Sequence, residues 1–555
     1  MESLSVIPAV ASLPAEITYA PSVALPSDGL WLTILVVFPA FIALILAVIP
    51  PLRVYGRRIT LMASLIELVG FLALAYSFDW AASSTTQFME SYAWIPALGI
   101  TWSLGVNALG LVMLLLTGLL VPLVLIAAKP EDDDPRRAGG YAALIMVLYS
   151  FIVMIFAAYD LVVFYIAFEA MLIPLFFMIS RYGTGEHRKK APMKFLLYSL
   201  AGGLIMLGGI VVIAALGGSG NGILFRFDVL QHTLPMLTIG WQMAIFVPLF
   251  LAFAIKAPMV PLHTWLPETA AAARPGTSTL LVGILDKIGT YGMIIMAVSF
   301  LPGATAMARP VILIFAVISI LWGGFAANGQ DNLLRLISFT SVSHFGFIVL
   351  GIFIGSEMAL TGAMVYMVAH GLSIAGLFLI SGFLISRGQD PSIRGYGGMQ
   401  RVTPILAGTW LISGLASMAL PGLSGFIPEY LVLMGTYKVN VALAIFAVFG
   451  VLLAAMYILM PYQRIFTGPV NPLRADIPDL NGREKIVVTP LIIGMILLGI
   501  WVAPLVGSMS QLSEHLAPSI AVTVVNNEGV DSALAPDLGM EMADAIARLN
   551  EGNAQ

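Results

Sequence analysis

FAIKAPMVPLHTWLPET, residues 253–269, sets a lysine, a histidine and three prolines inside one of the most apolar parts of a very apolar chain. Proline removes a backbone donor and clashes with the preceding turn, so the segment cannot run on as one straight helix. A charged side chain at the centre of a bilayer costs at least about 2.5–3.5 kcal/mol. Irregular backbone at that depth is tolerated only where protein or a wet cavity satisfies it. Lys256 beside this break therefore reads as a hydrated charge site inside a membrane-spanning segment.

The composition agrees. Of 555 residues, 59% are hydrophobic and 10% charged, which leaves too little polar surface to cover a soluble globule of that size. The net charge is −4 and no basic block with interleaved aromatics exists, so a nucleic-acid role is out. Cysteine is absent, which removes thiolate iron–sulfur ligation and disulfides together. The six histidines form no i,i+4 pair, and no Gly-rich fingerprint or phosphate loop occurs. No cofactor or metal is expected on this chain.

A span needs about 20 apolar residues. Working outward from 253–269, the chain divides into fourteen candidates: 30–50, 59–78, 108–128, 139–158, 160–180, 194–216, 242–273, 276–300, 309–328, 332–355, 358–385, 404–436, 440–466 and 486–507. Two of them, 242–273 and 404–436, are too long for one helix and carry internal breakers, the second at LPGLSGFIPEY, 420–430. Alternate loops, beginning with the first, hold 20 of the 26 lysines and arginines. Cytoplasmic loops collect such residues, so both termini are expected outside. The first 29 residues lack Lys, Arg and a long apolar run, so they do not read as a cleavable signal peptide. The tail 508–555 is polar and expected to be loosely ordered, with one short amphipathic helix at 538–550.

An internal repeat follows from spacing. Glu169 and His344 are 175 residues apart, and Lys256 and Glu429 are 173 apart. After three N-terminal helices within 30–128, each copy holds five spans, 139–300 and 309–466, and a fourteenth helix follows at 486–507. Five is odd, so the copies have opposite topology, the inverted-repeat architecture with interrupted helices near the midplane. The expected fold is an all-α polytopic membrane protein of about fourteen transmembrane helices.

Few ionisable residues fall inside the spans: Glu67, Glu169, Lys256, His263, Asp286, Lys287, His344, His370 and Glu429. A functional reading is the default for such groups. The bland alternative is an interfacial side chain that snorkels, which competes most strongly at Glu67 and Asp286. Glu169, mid-span in YIAFEAMLIPLFF, needs a partner from another helix to stay charged, and Lys256 is the best candidate. Ser338, Thr340, Ser341 and Ser343 surround His344 and are candidates to hold waters between charged groups, although such hydroxyls are also ordinary helix contacts. Moving a proton across ~150–200 mV costs roughly 3.5–4.5 kcal/mol, equivalent to a swing of about 3 pKa units. Burial and an adjacent carboxylate act on an amine in opposite senses by amounts of that size. Movement of Glu169 relative to Lys256 would therefore load and eject a proton.

At these residues the sequence resembles a known family. KAPMVPLHTWLPE (256–268), ILDKIGTYG (284–292), SVSHFGF (341–347), AHGLSIAGLF (369–378) and SGFIPEYLVL (424–433) are similar to the antiporter-like subunits of respiratory complex I, the proton-pumping NADH:quinone oxidoreductase. The match covers about residues 100–470, and the glutamate at Glu429 resembles the M (chain 4) type. The resemblance implies that Lys256 is the pump lysine and Glu169 the carboxylate that modulates it. Lys287 and His344 would be the connecting relay with His370 in support, and Glu429 the terminal site; beside these, His263 and Asp286 are read from their place in the spans as accessory groups. NADH, FMN, iron–sulfur clusters and quinone would belong to partner subunits, and the neighbours would be other membrane-arm subunits in a bacterial-type cytoplasmic membrane. Two positions depart from the family: Asp286, usually apolar, and Asn107, usually aspartate. Asp286 would pair with Lys287 locally if the two met. A multisubunit sodium/proton antiporter or a membrane-bound hydrogenase subunit shares the expected fold. A scaffold whose buried charges only specify packing is the reading from another class.

Overall fold

In the computed structural model, residues 29–128, 134–184, 186–216 and 224–521 are described. Among them, twelve helices are long and apolar enough to cross a membrane, and a thirteenth arises if Gly482–Ile500 and Ala503–Ala517, bent by 68°, form one span. The difference from fourteen lies mainly at 404–436. That segment folds as Pro404–Ser417 and Phe426–Val439, 14 residues each, and neither half crosses by itself.

The helices are sorted by burial. Every residue in the most apolar stretch of Pro275–Val298 is buried, as are 94% of those in Leu333–Phe353 and Glu357–Gly388, against 28% for Trp31–Val48. These three central helices carry Lys287, His344 and His370. The outer helices turn Phe41, Leu44, Ile66, Leu72 and Phe446 outward, as a lipid-facing surface requires.

Arginines from the basic loops terminate helices on one face. Arg53 donates to the carbonyls of Leu46 and Ala47. Arg57 and Arg483, 426 residues apart in sequence, both donate to the last carbonyls of Ala108–Ala127, Arg57 to Leu125 and Ile126 and Arg483 to Ile126 and Ala128. Arg274 bonds the carbonyl of Tyr182. A helix leaves its last four carbonyls without partners and carries partial negative charge there. Basic side chains in alternate loops thus meet the C-terminal ends of alternate helices.

The opposite face carries an antiparallel hairpin, Gln87–Ile95 with Ile100–Val106, which the helical pattern of the sequence did not announce. Its aromatic and β-branched residues suit a strand, and Gly99 turns the chain at φ 70°. Glu90 reaches from the hairpin to the start of Trp31–Val48. There its carboxylate accepts from the backbone N–H groups of Leu32 (2.6 Å) and Thr33 (3.0 Å), a favourable place for an anion.

The polar tail expected from residue 508 is helical at its start. Helix Ala503–Ala521 crosses that boundary and buries Met509, Leu512 and Leu516 at helical spacing. Ser83 donates to the carbonyl of Ser508, and Ser513 to that of Glu357. Polar composition had masked the amphipathic period. The N-terminal segment up to residue 28 and the region 522–555, including the helix expected at 538–550, lie outside the described residues.

Candidate functional site: a buried line of ionisable groups

The two breaks place opposite charges at opposite helix ends. Lys256 is the last residue of Ile239–Lys256, where the partial negative end of the helix favours a cation. Glu429 stands in the first turn of Phe426–Val439, where the positive end favours an anion. The first break is satisfied by protein: Ala257 N–H donates to Phe253 O, Met259 N–H to Ala254 O and the Trp265 indole to Ile255 O. Ser319 Oγ accepts from Val260 N–H at 2.9 Å. In the second break Ala419 adopts φ 58°, an uncommon left-handed conformation for a non-glycine residue.

Lys256 is 1% exposed. Its amine has no hydrogen-bond partner and lies over the rings of Phe168 (5.5 Å) and Phe195 (5.6 Å), a cation–π setting. Glu169 follows Phe168 on the helix Leu161–Ala170, just before a kink at which Pro174 withholds the bond that Ala170 O would receive. The expected Glu169–Lys256 ion pair is not formed within 4.0 Å, and Glu169 Oε1 also lacks a partner. Glu169 instead fills the space of a missing side chain: a Cβ on Gly203 would lie 1.4 Å from its Oε1.

From Lys287 onward the groups touch. Lys287 Nζ donates to Val282 O at 2.6 Å and lies 2.7 Å from His370 Nδ1. His370 Nε2 meets Ser341 Oγ at 3.2 Å, and the rings of His370 and His344 pack edge to face, 5.1 Å between centroids. His344 Nε2 contacts the Tyr457 hydroxyl at 3.1 Å, and the His344 ring lies 5.9 Å from that of Tyr366. Tyr366 donates to Glu429 Oε2 at 2.7 Å. Lys287, His370, His344, Tyr366, Tyr457 and Glu429 are all at most 4% exposed. Tyr366 and Tyr457 were missed by sequence reasoning. Tyr366 precedes His370 by one helical turn in YMVAH, which was the one available signal.

The remaining candidates fall outside this line of contacts. Of the four hydroxyls near His344, Ser341 meets His370 and Ser343 lies against the Tyr457 hydroxyl. Ser338, Thr340 and Ser343 donate to backbone carbonyls. His263 is buried in the first break with its ring against Phe339, and its Nδ1 has no partner. Asp286 is fully buried, and the ion pair with Lys287 is absent within 4.0 Å because consecutive helical residues point about 100° apart. Glu67 is 1% exposed, mid-helix in Gly56–Ser77 beside Tyr149, so it does not snorkel. Asn107 caps Ala108–Ala127 through Gly110 N–H, a role that aspartate fills equally well.

A family model described as "NADH:quinone oxidoreductase/Mrp antiporter, TM" matches residues 158–454. The chain is 40% identical over 539 residues to NADH-quinone oxidoreductase subunit M of Mycobacterium tuberculosis, covering 88% of this chain and 96% of the relative. Among solved structures it resembles a chain of respiratory complex I from Thermus thermophilus with bound NADH, at TM-score 0.78 and 29% identity over 88% of this chain and 99% of that one. It also resembles a chain of the Mrp complex from Dietzia sp. DQ12-45-1b, at TM-score 0.76 and 20% identity over 89% and 100%, a likeness of fold.

Proposed function

Because the chain belongs to the NADH:quinone oxidoreductase/Mrp antiporter family of membrane subunits, we propose that it is the M-type, proton-translocating membrane-arm subunit of an NADH:quinone oxidoreductase. The observation that carries this reading is the buried run from Lys287 through His370 and His344 to the tyrosines and Glu429. Amine, imidazole, phenol and carboxylate in sequence can each hold or release a proton, and all of them are buried among largely apolar side chains.

Each residue takes a role from its place. Lys256, at the helix break, is the switchable amine, and Glu169, seated over Gly203, is the carboxylate whose approach or withdrawal sets its charge. Lys287 and His370 pass the proton inward, and His344 hands it through Tyr457 or Tyr366 to Glu429 at the second break. His263 has no contact that ties it to the run and stands as an accessory group of the first break. FMN, iron–sulfur clusters, NADH and quinone are held by partner subunits, and the redox energy reaches this chain through neighbouring membrane-arm subunits. The face of arginine-capped helix ends is cytoplasmic, and both termini lie on the other side of a bacterial-type cytoplasmic membrane.

The test is to isolate the intact complex from native membranes and measure quinone reduction by NADH and proton uptake in sealed vesicles. Lys256→Met is expected to lower pumping by at least about tenfold per assembled complex. Pumping equal to the parent would remove the reading. Transport that requires sodium and copurifies with no NADH oxidation would replace it with sodium/proton antiport.

A further inference from the structure

We infer that Asp286 is the anionic relay between Lys256 and Lys287, a proton carrier that joins the first break to the central line of contacts. The inference rests on the proton-translocating reading above. That line begins at Lys287, and no hydrogen bond connects it to Lys256. Asp286 is 0% exposed, and both its carboxylate oxygens lack a hydrogen-bond partner.

Its direction follows from the glycines below it. Asp286, Gly289 and Gly292 recur every three residues and so share one side of their helix. A Cβ on Gly289 would come within 2.5 Å of Phe253 O and 2.6 Å of Ala257 N, and one on Gly292 within 2.5 Å of the Phe253 ring. That side is therefore pressed against the end of Ile239–Lys256, the place of Lys256. Lys287, one residue on, points away to His370. Helix Asp286–Gly292 lies between π-helical turns at Leu281–Leu285 and Met293–Val298, a local unwinding that recurs at functional sites.

The transfers balance. A proton leaves the Lys256 ammonium for the Asp286 carboxylate, giving a neutral amine and a carboxylic acid. The acid then gives it to the neutral amine of Lys287, restoring the carboxylate and charging the second lysine. The flexible four-carbon stem of each lysine supplies the reach. The other ionisable groups nearby are Glu169, next to the Phe168 whose ring meets the Lys256 amine, His370, in contact with Lys287, and His263 in the adjoining break.

The test uses the whole complex in sealed vesicles with Asp286→Asn, Asp286→Leu and Asp286→Glu beside Lys256→Met. Flavin content counts assembled complexes, and pumping is followed across the neutral pH range. The expected result is a loss of pumping by at least about tenfold in Asp286→Asn and Asp286→Leu, an altered pH profile, and recovery in Asp286→Glu. Parent-like pumping and pH profile in Asp286→Asn or Asp286→Leu, with Lys256→Met impaired, overturns the relay and leaves the function intact. If the Asp286 variants change only the yield of complex, the residue is structural and the inference falls. If Lys256→Met also pumps normally, the underlying reading falls with it.

Discussion

Lys287 Nζ lies 2.7 Å from His370 Nδ1 in a wholly buried contact, and the same amine donates backward to Val282 O at 2.6 Å. With the amine as donor, Nδ1 accepts and Nε2–H donates to Ser341 Oγ; the opposite tautomer reverses both roles. His370→Ala removes the partner and interrupts the line. Proton pumping per assembled complex should fall by about tenfold or more, measured as vesicle acidification against NADH consumed. A parent-like ratio would take His370 off the path.

Tyr366 donates to Glu429 Oε2 at 2.7 Å, both groups being nearly without exposure. A buried hydrogen bond contributes about 0.5–1.5 kcal/mol between neutral groups and about 1.5–3 kcal/mol to a charged one. Tyr366→Phe should therefore slow pumping by roughly tenfold while the complex assembles. Native gel mobility and pumping rate check the two halves of that statement separately.

Gly203 exists to seat Glu169. Any Cβ there would lie 1.4 Å from the carboxylate oxygen, so Gly203→Ala must push Glu169 out of place. The expected loss of pumping matches that of Glu169→Gln, and the double variant is no worse than either single one, because both remove the same interaction. Additive losses in a double-mutant cycle would separate the two residues.

Arg57 and Arg483 should matter to stability alone. Together they occupy the terminal carbonyls of Ala108–Ala127. Arg483→Met is expected to destabilise the assembled protein by about 1–2 kcal/mol, read as a lower thermal midpoint. Pumping per remaining complex should be unchanged.

Much of this site was legible along the chain because a bilayer makes each buried charge costly, so Glu169, Lys256, Lys287, His344, His370 and Glu429 stand out against apolar spans. What stayed hidden was pairing. Glu169 and Lys256, the pair that burial alone would suggest, do not touch, because Gly203 draws the carboxylate to a seat in another helix. Tyr457 was invisible, and Tyr366 was marked only by its place one turn before His370, because an aromatic residue is unremarkable in a membrane helix. Glu67 could not be told from a snorkelling side chain until its depth was seen.

By itself the sequence determined the membrane setting, the two broken spans, the basic loops and the set of buried ionisable residues. Each of these is a local balance of apolar length, proline geometry and the penalty for a charge in hydrocarbon. Only the tertiary structure decided who meets whom. The contacts Lys287–His370, His344–Tyr457 and Tyr366–Glu429 join positions 63 to 113 residues apart. Direction around a helix turns by about 100° per residue, so Asp286 and Lys287, adjacent in the chain, face different helices. Their neighbours are fixed only when glycines such as Gly289 let the backbones close to contact.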